Sequence, residues 1–221
     1  MVDIFAAGHG SLAVRSPNAA SVRLSRGRAG AKRGFDLLAA ATLLIVLSWL
    51  FLAIAIAVAL DSPGPVLFRQ RRTGRHGRAF VIYKFRSMTV GDDDQVPQAT
   101  RGDPRVTRVG AFIRSTSLDE LPQLMNVIRG EMSLVGPRPH AVIHDARYGP
   151  LIAGYRDRFS VRPGLTGLAQ VRGLRGETRD LGCMARRIEA DADYVARWSL
   201  IGDLAIIART VPAMLSRKNA Y

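Results

Sequence analysis

Two adjacent carboxylates, Asp119 and Glu120, are the residues of this chain best suited to chemistry on a phosphate. They follow Ser117 at the predicted start of a helix, where free backbone amides and the helix dipole favour an anionic side chain. An ionised aspartate can attack phosphorus, and a neighbouring glutamate can share a Mg²⁺ ion with it. The same segment also matches a capping box, in which Ser117 caps the helix and Glu120 bonds back to it. Both interpretations stay open at this point, because a capping residue can also belong to a site.

Five basic side chains are candidates for holding phosphate beside this pair. They are Lys84, Arg86, Arg114, Arg138 and Arg162. Arg138 stands between two prolines, and Arg162 directly precedes a Pro-Gly pair. A proline neighbour stiffens the backbone, so that a planar guanidinium is held in place for a phosphate.

The elements that must position these residues can be predicted from the pattern of apolar side chains. Short strand-like runs at 66–68 and 80–83, separated by a glycine-bearing turn, predict a β-hairpin that leads into the first two cations. Apolar spacing over residues 109–129 predicts a helix in two pieces, which carries both carboxylates. A further helix is predicted at 180–198, and another at 200–215 that is interrupted at a proline.

The longest apolar run covers residues 37–60 and has basic residues on both sides. As a straight helix it reaches ~36 Å, which is enough to cross the hydrocarbon core of a membrane. Two basic flanks favour instead a helix that bends back, since basic flanks stay on the cytoplasmic side. Ser48 is the predicted kink, because its hydroxyl can bond a carbonyl one turn back. The pattern alone leaves a spanning and a re-entrant helix both open.

A net charge of +14 over 221 residues indicates a polyanionic partner, such as anionic lipid, nucleic acid or a phosphorylated substrate. The chain is divided into a mobile basic tail at 1–31, a re-entrant membrane helix and turn at 32–65, and a cytoplasmic catalytic domain at 66–221. The predicted fold class is a membrane-associated α+β protein, mainly helical. It has one N-terminal re-entrant helix, a short β-hairpin and interfacial amphipathic helices.

Seven segments in a fixed order carry a resemblance to a known family. They are KRGFD at 32–36, the apolar run, SPGPVLFRQ at 62–70, YKFRSM at 83–88, SLDELPQ at 117–123, MSLVGPRP at 132–139 and RPGLTG at 162–167. Together they resemble the bacterial sugar transferases, and more closely the monotopic polyprenyl-phosphate phosphoglycosyl transferases. The C-terminal residues are similar to those of the exopolysaccharide-initiating branch.

The resemblance implies transfer of a sugar-1-phosphate, with galactose or glucose as the sugar, from a UDP-sugar to undecaprenyl phosphate. Asp119 would attack the phosphorus bonded to the sugar, and UMP would leave. The lipid phosphate would then attack the aspartyl intermediate and form undecaprenyl-diphosphosugar. Glu120 would share Mg²⁺ with Asp119 and deprotonate the lipid phosphate. Arg114 and Arg138 occupy positions that engage phosphate in the family.

The same resemblance places the protein at the bacterial inner membrane, with the catalytic domain facing the cytoplasm. Its expected partners are anionic inner-membrane lipid and downstream glycosyltransferases, whereas nucleic acid is not expected. Whether it forms a homodimer is left open. The family has Ser-Pro in the middle of its membrane segment, whereas Trp49 follows Ser48 here. A re-entrant helix is still favoured, because a spanning helix would place the basic tail outside.

Two alternatives to this reaction remain. A membrane-anchored basic binding or scaffold protein would use Asp119 and Glu120 only as a helix cap. A direct transfer within a ternary complex would need no covalent step.

Overall fold

A computed structural model describes residues 12–13, 26–89, 100, 102–174, 176, 178 and 180–215. Most of the predicted basic tail, residues 1–11 and 14–25, lies outside these ranges. The first helix begins at Arg26, inside the range predicted as a tail. Residues Leu12–Ala13 form a two-residue strand, β1, parallel to β5 at Ile152–Ala153.

Two helices account for the long apolar run, α1 at Arg26–Val46 and α2 at Ser48–Asp61. Their axes differ by 62°. Within the described residues, neither helix alone has the length and apolar character needed to cross a membrane, whereas the bent pair together has both. The apolar run is therefore two helices with a sharp bend between them.

The bend lies at Leu47, one residue before the predicted kink at Ser48. Leu47 has φ −93° and ψ 9°, outside the helical range, although its amide still bonds the carbonyl of Leu43 at 2.9 Å. Among the hydrogen bonds of the described residues, none joins the Ser48 hydroxyl to a carbonyl. The position of the bend agrees with the prediction, whereas the hydroxyl bond proposed for it is not observed.

The predicted hairpin is confirmed and is longer than expected. Strands β2 at Leu67–Thr73 and β3 at Ala79–Phe85 pair antiparallel over their whole length. The turn between them contains a 3-10 turn at Arg75–Gly77. Phe80, Ile82 and Phe85 are buried on β3, whereas the arginines of β2 face outward or lie at the edge of the core.

The prediction of a helix in two pieces is also confirmed. Helix α3 covers Arg108–Ser115, a 3-10 turn covers Leu118–Glu120, and α4 covers Gln123–Arg129. Pro122 precedes α4 with a helical φ of −60°, so its missing amide falls where a helix leaves amides unpaired. Both carboxylates therefore lie in the short connection between two helices.

The remaining described elements complete a mainly helical structure with small sheets. They are β4 at Ser133–Val135, α5 at Val142–Tyr148, a 3-10 turn at Tyr155–Ser160, β6 at Gly164–Thr166, α6 at Leu168–Val171, α7 at Leu181–Ala196 and α8 at Leu200–Leu215. Strands β4 and β6 are parallel. The predicted interruption of the last helix is wrong, because α8 continues through Pro212. The proline lacks the amide that would bond the carbonyl four residues earlier, and this missing bond falls in the last turn of α8.

Helix α1 is joined to β4 and α8 by buried polar contacts. Lys32 bonds the carbonyl of Val135 at 3.1 Å and Asp203 of α8 at 2.5 Å. Asp36 accepts a hydrogen bond from the Leu134 amide at 3.1 Å. Around these contacts, the largest hydrophobic core joins α1, β3, α4, β4, α7 and α8. The helix that leads into the bend and the strand that leads to Arg138 therefore belong to one packed unit.

Candidate active site

The two carboxylates lie in a tight connection whose first residue has an uncommon conformation. Ser117 has φ 57° in the left-handed region and makes no side-chain capping bond. The predicted capping box is therefore wrong. Glu120 bonds Lys84 and Arg138 instead of the backbone at the helix start.

Glu120 is held by two cations from distant parts of the chain. Lys84 Nζ lies 2.7 Å from Oε1, and the Arg138 guanidinium bonds both carboxylate oxygens, at 2.9 Å to Oε2 and 2.5 Å to Oε1. Burial raises the pKa of Glu120, but the charges and hydrogen bonds of Arg138 and Lys84 outweigh it. The pKa therefore lies well below the ordinary value. Glu120 is ionised and is a weak proton acceptor in this arrangement.

Asp119 has a different environment although it is the adjacent residue. It is 7% exposed, and Lys84 Nζ lies 3.9 Å from Oδ2, too far for a hydrogen bond. Burial raises the pKa of Asp119 to about 6, against the attraction of Lys84 and with the repulsion of Glu120. Most Asp119 side chains are thus ionised at pH 7. A desolvated carboxylate of this kind is a suitable nucleophile.

Three of the five predicted cations meet at this pair. Lys84 and Arg138 contact Glu120 directly, and the charge of Arg114 lowers the pKa of Asp119. Arg114 extends from α3 past Met88, with Nη1 3.7 Å from the Met88 sulfur. The site therefore combines two carboxylates with cations from the hairpin, from α3 and from the loop after β4.

Arg86 bonds backbone carbonyls rather than either carboxylate, and its predicted role in binding phosphate stays a prediction. Its guanidinium donates to the carbonyls of Val58, Ser62 and Pro65, at 3.2, 2.5 and 2.6 Å. These carbonyls lie at and beyond the C-terminal end of α2, where helix carbonyls lack intrahelical partners. The side chain is only 3% exposed. Arg86 thus fixes the end of the bent helix pair to the hairpin.

Arg162 is a predicted cation that the structure does not bring to the carboxylate pair. Its Nε donates to the carbonyl of Gly130 at 2.8 Å, which satisfies the C-terminal end of α4. Burial and the charge of Arg33 lower the pKa of Arg162. The residue lines a separate cavity that also contains Arg75 and Asp157, not either cavity that contains Asp119. Its place next to Pro163 serves the fold rather than the carboxylate pair.

Two cavities meet at Asp119, and their linings differ in character. The first, here called the apolar groove, has a volume of about 770 Å³ and runs between α1 and α8, past Leu38, Leu43, Ile207 and Val211. The second, called the polar cavity, has a volume of about 420 Å³ and is rich in basic side chains from the hairpin, α5 and α7. Among the residues that the structure describes, six line both cavities: Lys84, Arg114, Asp119, Arg138, Gln170 and Gly176.

The loop that carries Arg138 is secured by a buried ion pair that the sequence did not reveal. Arg158 Nη2 lies 2.9 Å from Asp191 Oδ2, with both side chains 3% exposed, and Arg158 also donates to the carbonyl of Arg138 and contacts His140. Burial raises the pKa of Asp191 to about 6, against the attraction of Arg158. Nothing in the local sequence around Arg158 or Asp191 distinguishes them from surface residues of a helix.

The residues present fit a Mg²⁺ ion held between protein and substrate. Magnesium is commonly bound by one or two carboxylates together with substrate phosphates and waters. Asp119 and Glu120 supply such carboxylates, although Glu120 already bonds two cations. Among the described residues, no group of three or more His, Cys, Asp or Glu side chains could hold a metal by itself. A magnesium site here therefore depends on phosphate oxygens.

Known proteins similar to this chain match most of its length. A family model described as bacterial sugar transferase matches residues 27–217. A UDP-glucose:undecaprenyl-phosphate glucose-1-phosphate transferase of Caulobacter vibrioides is 56% identical over 86% of this chain and 72% of its own length. The Escherichia coli K12 protein of the same name is 51% identical over 86% of this chain. The Rhizobium leguminosarum bv. phaseoli "Exopolysaccharide production protein PSS" is 46% identical, over 86% of this chain and 98% of its own length.

These matches confirm the family predicted from the seven segments. The chain spans 72% of the Caulobacter relative but only 41% of the Escherichia coli one, whose remaining sequence has no counterpart here. The matched region includes α1 to α8 and every residue of the carboxylate site. The chain belongs to the bacterial sugar transferase family.

Proposed function

We propose that this protein transfers a sugar-1-phosphate from a UDP-sugar to undecaprenyl phosphate, giving undecaprenyl-diphosphosugar and UMP. The observation that carries the proposal is Asp119, a buried carboxylate of raised pKa on the wall that the apolar groove and the polar cavity share. Relatives named as glucose-1-phosphate transferases support glucose as the sugar. Relatives named as exopolysaccharide production proteins support the first membrane step of exopolysaccharide synthesis.

The shapes of the two cavities suit two different substrates. A polyprenyl phosphate has a long apolar chain and one anionic end, which matches a groove with apolar walls that ends at Lys84, Arg114 and Arg138. A UDP-sugar is polar and carries two phosphates, which matches the basic polar cavity. Both substrates would bring a phosphate to the same carboxylate, in turn.

In the first step, an oxygen of Asp119 attacks the phosphorus bonded to the sugar. The bond from this phosphorus to the bridging oxygen breaks, UMP leaves with the bonding electrons, and an aspartyl sugar phosphate remains. Asp119 and the diphosphate are both anionic, so cations must offset their repulsion. Lys84, Arg114 and Arg138 are placed to do this.

In the second step, an oxygen of the lipid phosphate attacks the same phosphorus. The bond to Asp119 breaks, which restores the carboxylate and releases undecaprenyl-diphosphosugar. Glu120 has a low pKa and two cationic partners, so we assign it the role of holding Lys84 and Arg138 in position rather than accepting a proton. A lipid phosphate that enters as a dianion needs no base.

We propose that Mg²⁺ is held by Asp119 and Glu120 together with phosphate oxygens of the substrate. Bound there, the ion supplies positive charge that offsets the charge developing on the phosphates. Removal of divalent cations with EDTA is then expected to stop UMP release, and added Mg²⁺ to restore it.

We also propose that the bent helix pair enters the inner membrane from the cytoplasmic side and returns to it. Large apolar side chains stay exposed on this pair, with Trp49 67% and Leu60 84% exposed. Phe112 of α3 and Ile201 of α8 are exposed as well, at 62% and 80%. Exposed apolar residues on several elements are typical of proteins that rest in a membrane interface, and the surplus of Arg suits an anionic leaflet.

The reaction is tested with purified protein in nanodiscs containing undecaprenyl phosphate. UMP release is measured across a panel of UDP-sugars, and lipid-linked product is extracted. Asp119→Asn should remove all transfer because the amide is not a nucleophile, and the variant should still fold. A folded Asp119→Asn protein with wild-type turnover contradicts the proposal.

The covalent step is tested separately by intact-mass measurement with the UDP-sugar but without lipid. The wild type should gain the mass of one sugar phosphate, and Asp119→Asn should not. Transfer without any adduct would favour a ternary complex. Strong salt-dependent DNA binding without transfer would favour a basic binding protein instead.

A further inference from the structure

Gln170 is the one uncharged polar side chain among the six residues that line both cavities at Asp119. It lies in the short helix α6, directly after β6. Its amide oxygen Oε1 is buried and has no hydrogen-bond partner among the described residues. A buried polar atom without a partner is uncommon, because it gives up its bonds to water without replacement.

The orientation of this amide is determined by its other end. Nε2 donates to the carbonyl of Leu165 at 3.0 Å. A carbonyl can only accept, so the amino group must face Leu165 and Oε1 must face the other way. In this orientation Oε1 lies beside Gly167, 3.0 Å from where a Cβ of that residue would stand. The terminal torsion of glutamine is soft, so a rotation that exchanges the Leu165 bond would bring Oε1 to a donor on the ligand.

The unpaired atom is an acceptor, which distinguishes between the two substrates. Undecaprenyl phosphate, as a dianion, offers no hydrogen-bond donor. A UDP-sugar offers hydroxyl groups on both sugars and one N–H on the uracil. On the basis of the proposed function, we infer that Gln170 accepts a hydrogen bond from a hydroxyl of the transferred sugar and so contributes to sugar specificity.

The position of Gln170 favours the transferred sugar over the uridine. Asp119 attacks the phosphorus that carries this sugar, so the sugar lies next to the wall that Asp119 and Gln170 share. The uracil is separated from that phosphorus by a second phosphate and the ribose. After UMP leaves, the sugar stays attached to Asp119, so the contact with Gln170 serves both steps.

The inference is tested with deoxy and deoxyfluoro analogues of the best UDP-sugar, each lacking one sugar hydroxyl. Fluorine does not donate a hydrogen bond, so each analogue removes one donor. Wild-type kcat/KM for UMP release should fall roughly 10-fold to 100-fold for one analogue, because an acceptor is left unpaired. If every single-hydroxyl analogue stays within roughly 3-fold of the parent sugar, the inference is wrong, and no variant is needed to show it.

Gln170→Met then identifies the partner of that hydroxyl. Methionine has a similar length and offers no amide oxygen. The variant should lose most of its kcat/KM with the parent sugar and should no longer distinguish it from the sensitive analogue. KM for undecaprenyl phosphate should stay unchanged. If Gln170→Met does not fold, Gln170→Asn allows the same comparison, because it withdraws the amide by one methylene.

Gln123→Met is the matched control. Gln123 is also buried and has an unpaired amide nitrogen, but it lines neither cavity. The Gln123→Met variant should discriminate between the parent sugar and the analogue as the wild type does. Full discrimination by a folded Gln170 variant overturns this inference alone, whereas absence of any transfer by the wild type overturns the proposed function.

Discussion

At the scale of single residues, two neighbouring carboxylates have opposite properties. Glu120 reaches Arg138 and Lys84, which lower its pKa, whereas Asp119 lies beyond hydrogen-bonding distance of Lys84 and burial raises its pKa to about 6. The difference separates two roles. One carboxylate organises the cations, and the other is left as the reactive group.

The raised pKa of Asp119 predicts a cost in stability that depends on pH. The folded protein holds the proton more tightly than the unfolded chain, whose pKa is near the ordinary value of 3.8. Stability is therefore lost as pH rises from about 4 to about 6, and the full loss, about 3 kcal/mol at most, is present at pH 7. Asp119→Asn should remove this loss and unfold at a higher temperature than the wild type at pH 7.5, while its transfer activity disappears.

The comparison between pH values supplies the control. Near pH 4 the side chain is protonated in the folded protein and about half protonated in the unfolded chain, so most of the difference in free energy of unfolding between wild type and Asp119→Asn should disappear. A stability difference that is equal at pH 4 and pH 7.5 would show that ionisation of Asp119 is not its cause. In the wild type, UMP release should fall below pH 6 as Asp119 becomes protonated.

At the scale of elements, the site depends on how the loop of Arg138 is held. The 3-10 turn at Tyr155–Ser160 supplies Arg158, whose guanidinium joins the Arg138 carbonyl to Asp191 of α7. The parallel pairing of β4 with β6 fixes the start of this loop. Helix α7 thus helps to fix the loop of Arg138, because its Asp191 holds Arg158 and Arg158 bonds the Arg138 carbonyl.

The buried pair predicts a large effect when one partner is removed. Arg158→Met should destabilise the protein by roughly 3–5 kcal/mol, because the buried Asp191 loses its ion-pair partner and must either stay charged or take up a proton. The double variant Arg158→Met with Asp191→Leu should regain part of this free energy of unfolding, as measured by urea denaturation. Both variants should have reduced transfer, since the Arg138 carbonyl loses its donor.

An exposed ion pair that also includes a residue of α7 is the matched control. Arg172 and Asp193 lie 3.0 Å apart, with 48% and 30% of their side chains exposed. Arg172→Met should cost roughly 1 kcal/mol or less, because water screens an exposed pair. Equal losses for Arg158→Met and Arg172→Met would contradict the role given to burial.

At the scale of the whole molecule, the bent helix pair and the carboxylate site form one unit. Lys32 and Asp36 tie α1 to β4 and α8, and Arg86 ties the end of α2 to the hairpin. The apolar groove lies between α1 and α8 and leads to Asp119. In the proposed membrane arrangement, the helix pair that enters the bilayer also forms one wall of the groove proposed for the lipid chain.

The proposed re-entrant arrangement predicts that both ends of the helix pair face the cytoplasm. In a Cys183→Ser background, which removes the single cysteine, cysteines are introduced at the exposed positions Arg28 and Arg78. A membrane-impermeant maleimide should label neither in intact spheroplasts and both after lysis, because both positions lie on the cytoplasmic side. The Arg78 variant reports the catalytic domain and serves as the control.

Labelling at position 28 in intact spheroplasts would contradict re-entry, since it would place the start of α1 in the periplasm. Transfer activity of each cysteine variant is measured first, to confirm that it folds. A spanning helix predicts opposite outcomes at the two positions, whereas a re-entrant one predicts the same outcome.

The order of residues was sufficient to predict most elements and the family. Apolar patterns predicted the hairpin and the helix in two pieces around Asp119, and Ser48 with the basic flanks indicated a bend within one residue of its observed place at Leu47. The seven ordered segments predicted the bacterial sugar transferase family. These features were accessible because each depends on side chains a few positions apart, whose periodicity and turn chemistry act locally.

The pKa values of the carboxylates and the bonding partners of these arginines are visible only in the folded structure. Ser117 does not cap, Arg86 and Arg162 bond helix carbonyls, and Arg158 pairs with Asp191. Lys84 lies 36 positions before the glutamate that it holds. A pKa depends on burial and on charges within a few ångströms, and an arginine next to a proline looks the same in sequence whether it binds phosphate or a carbonyl. These distances in space, which the order of residues does not contain, separate the reactive carboxylate from its neighbour.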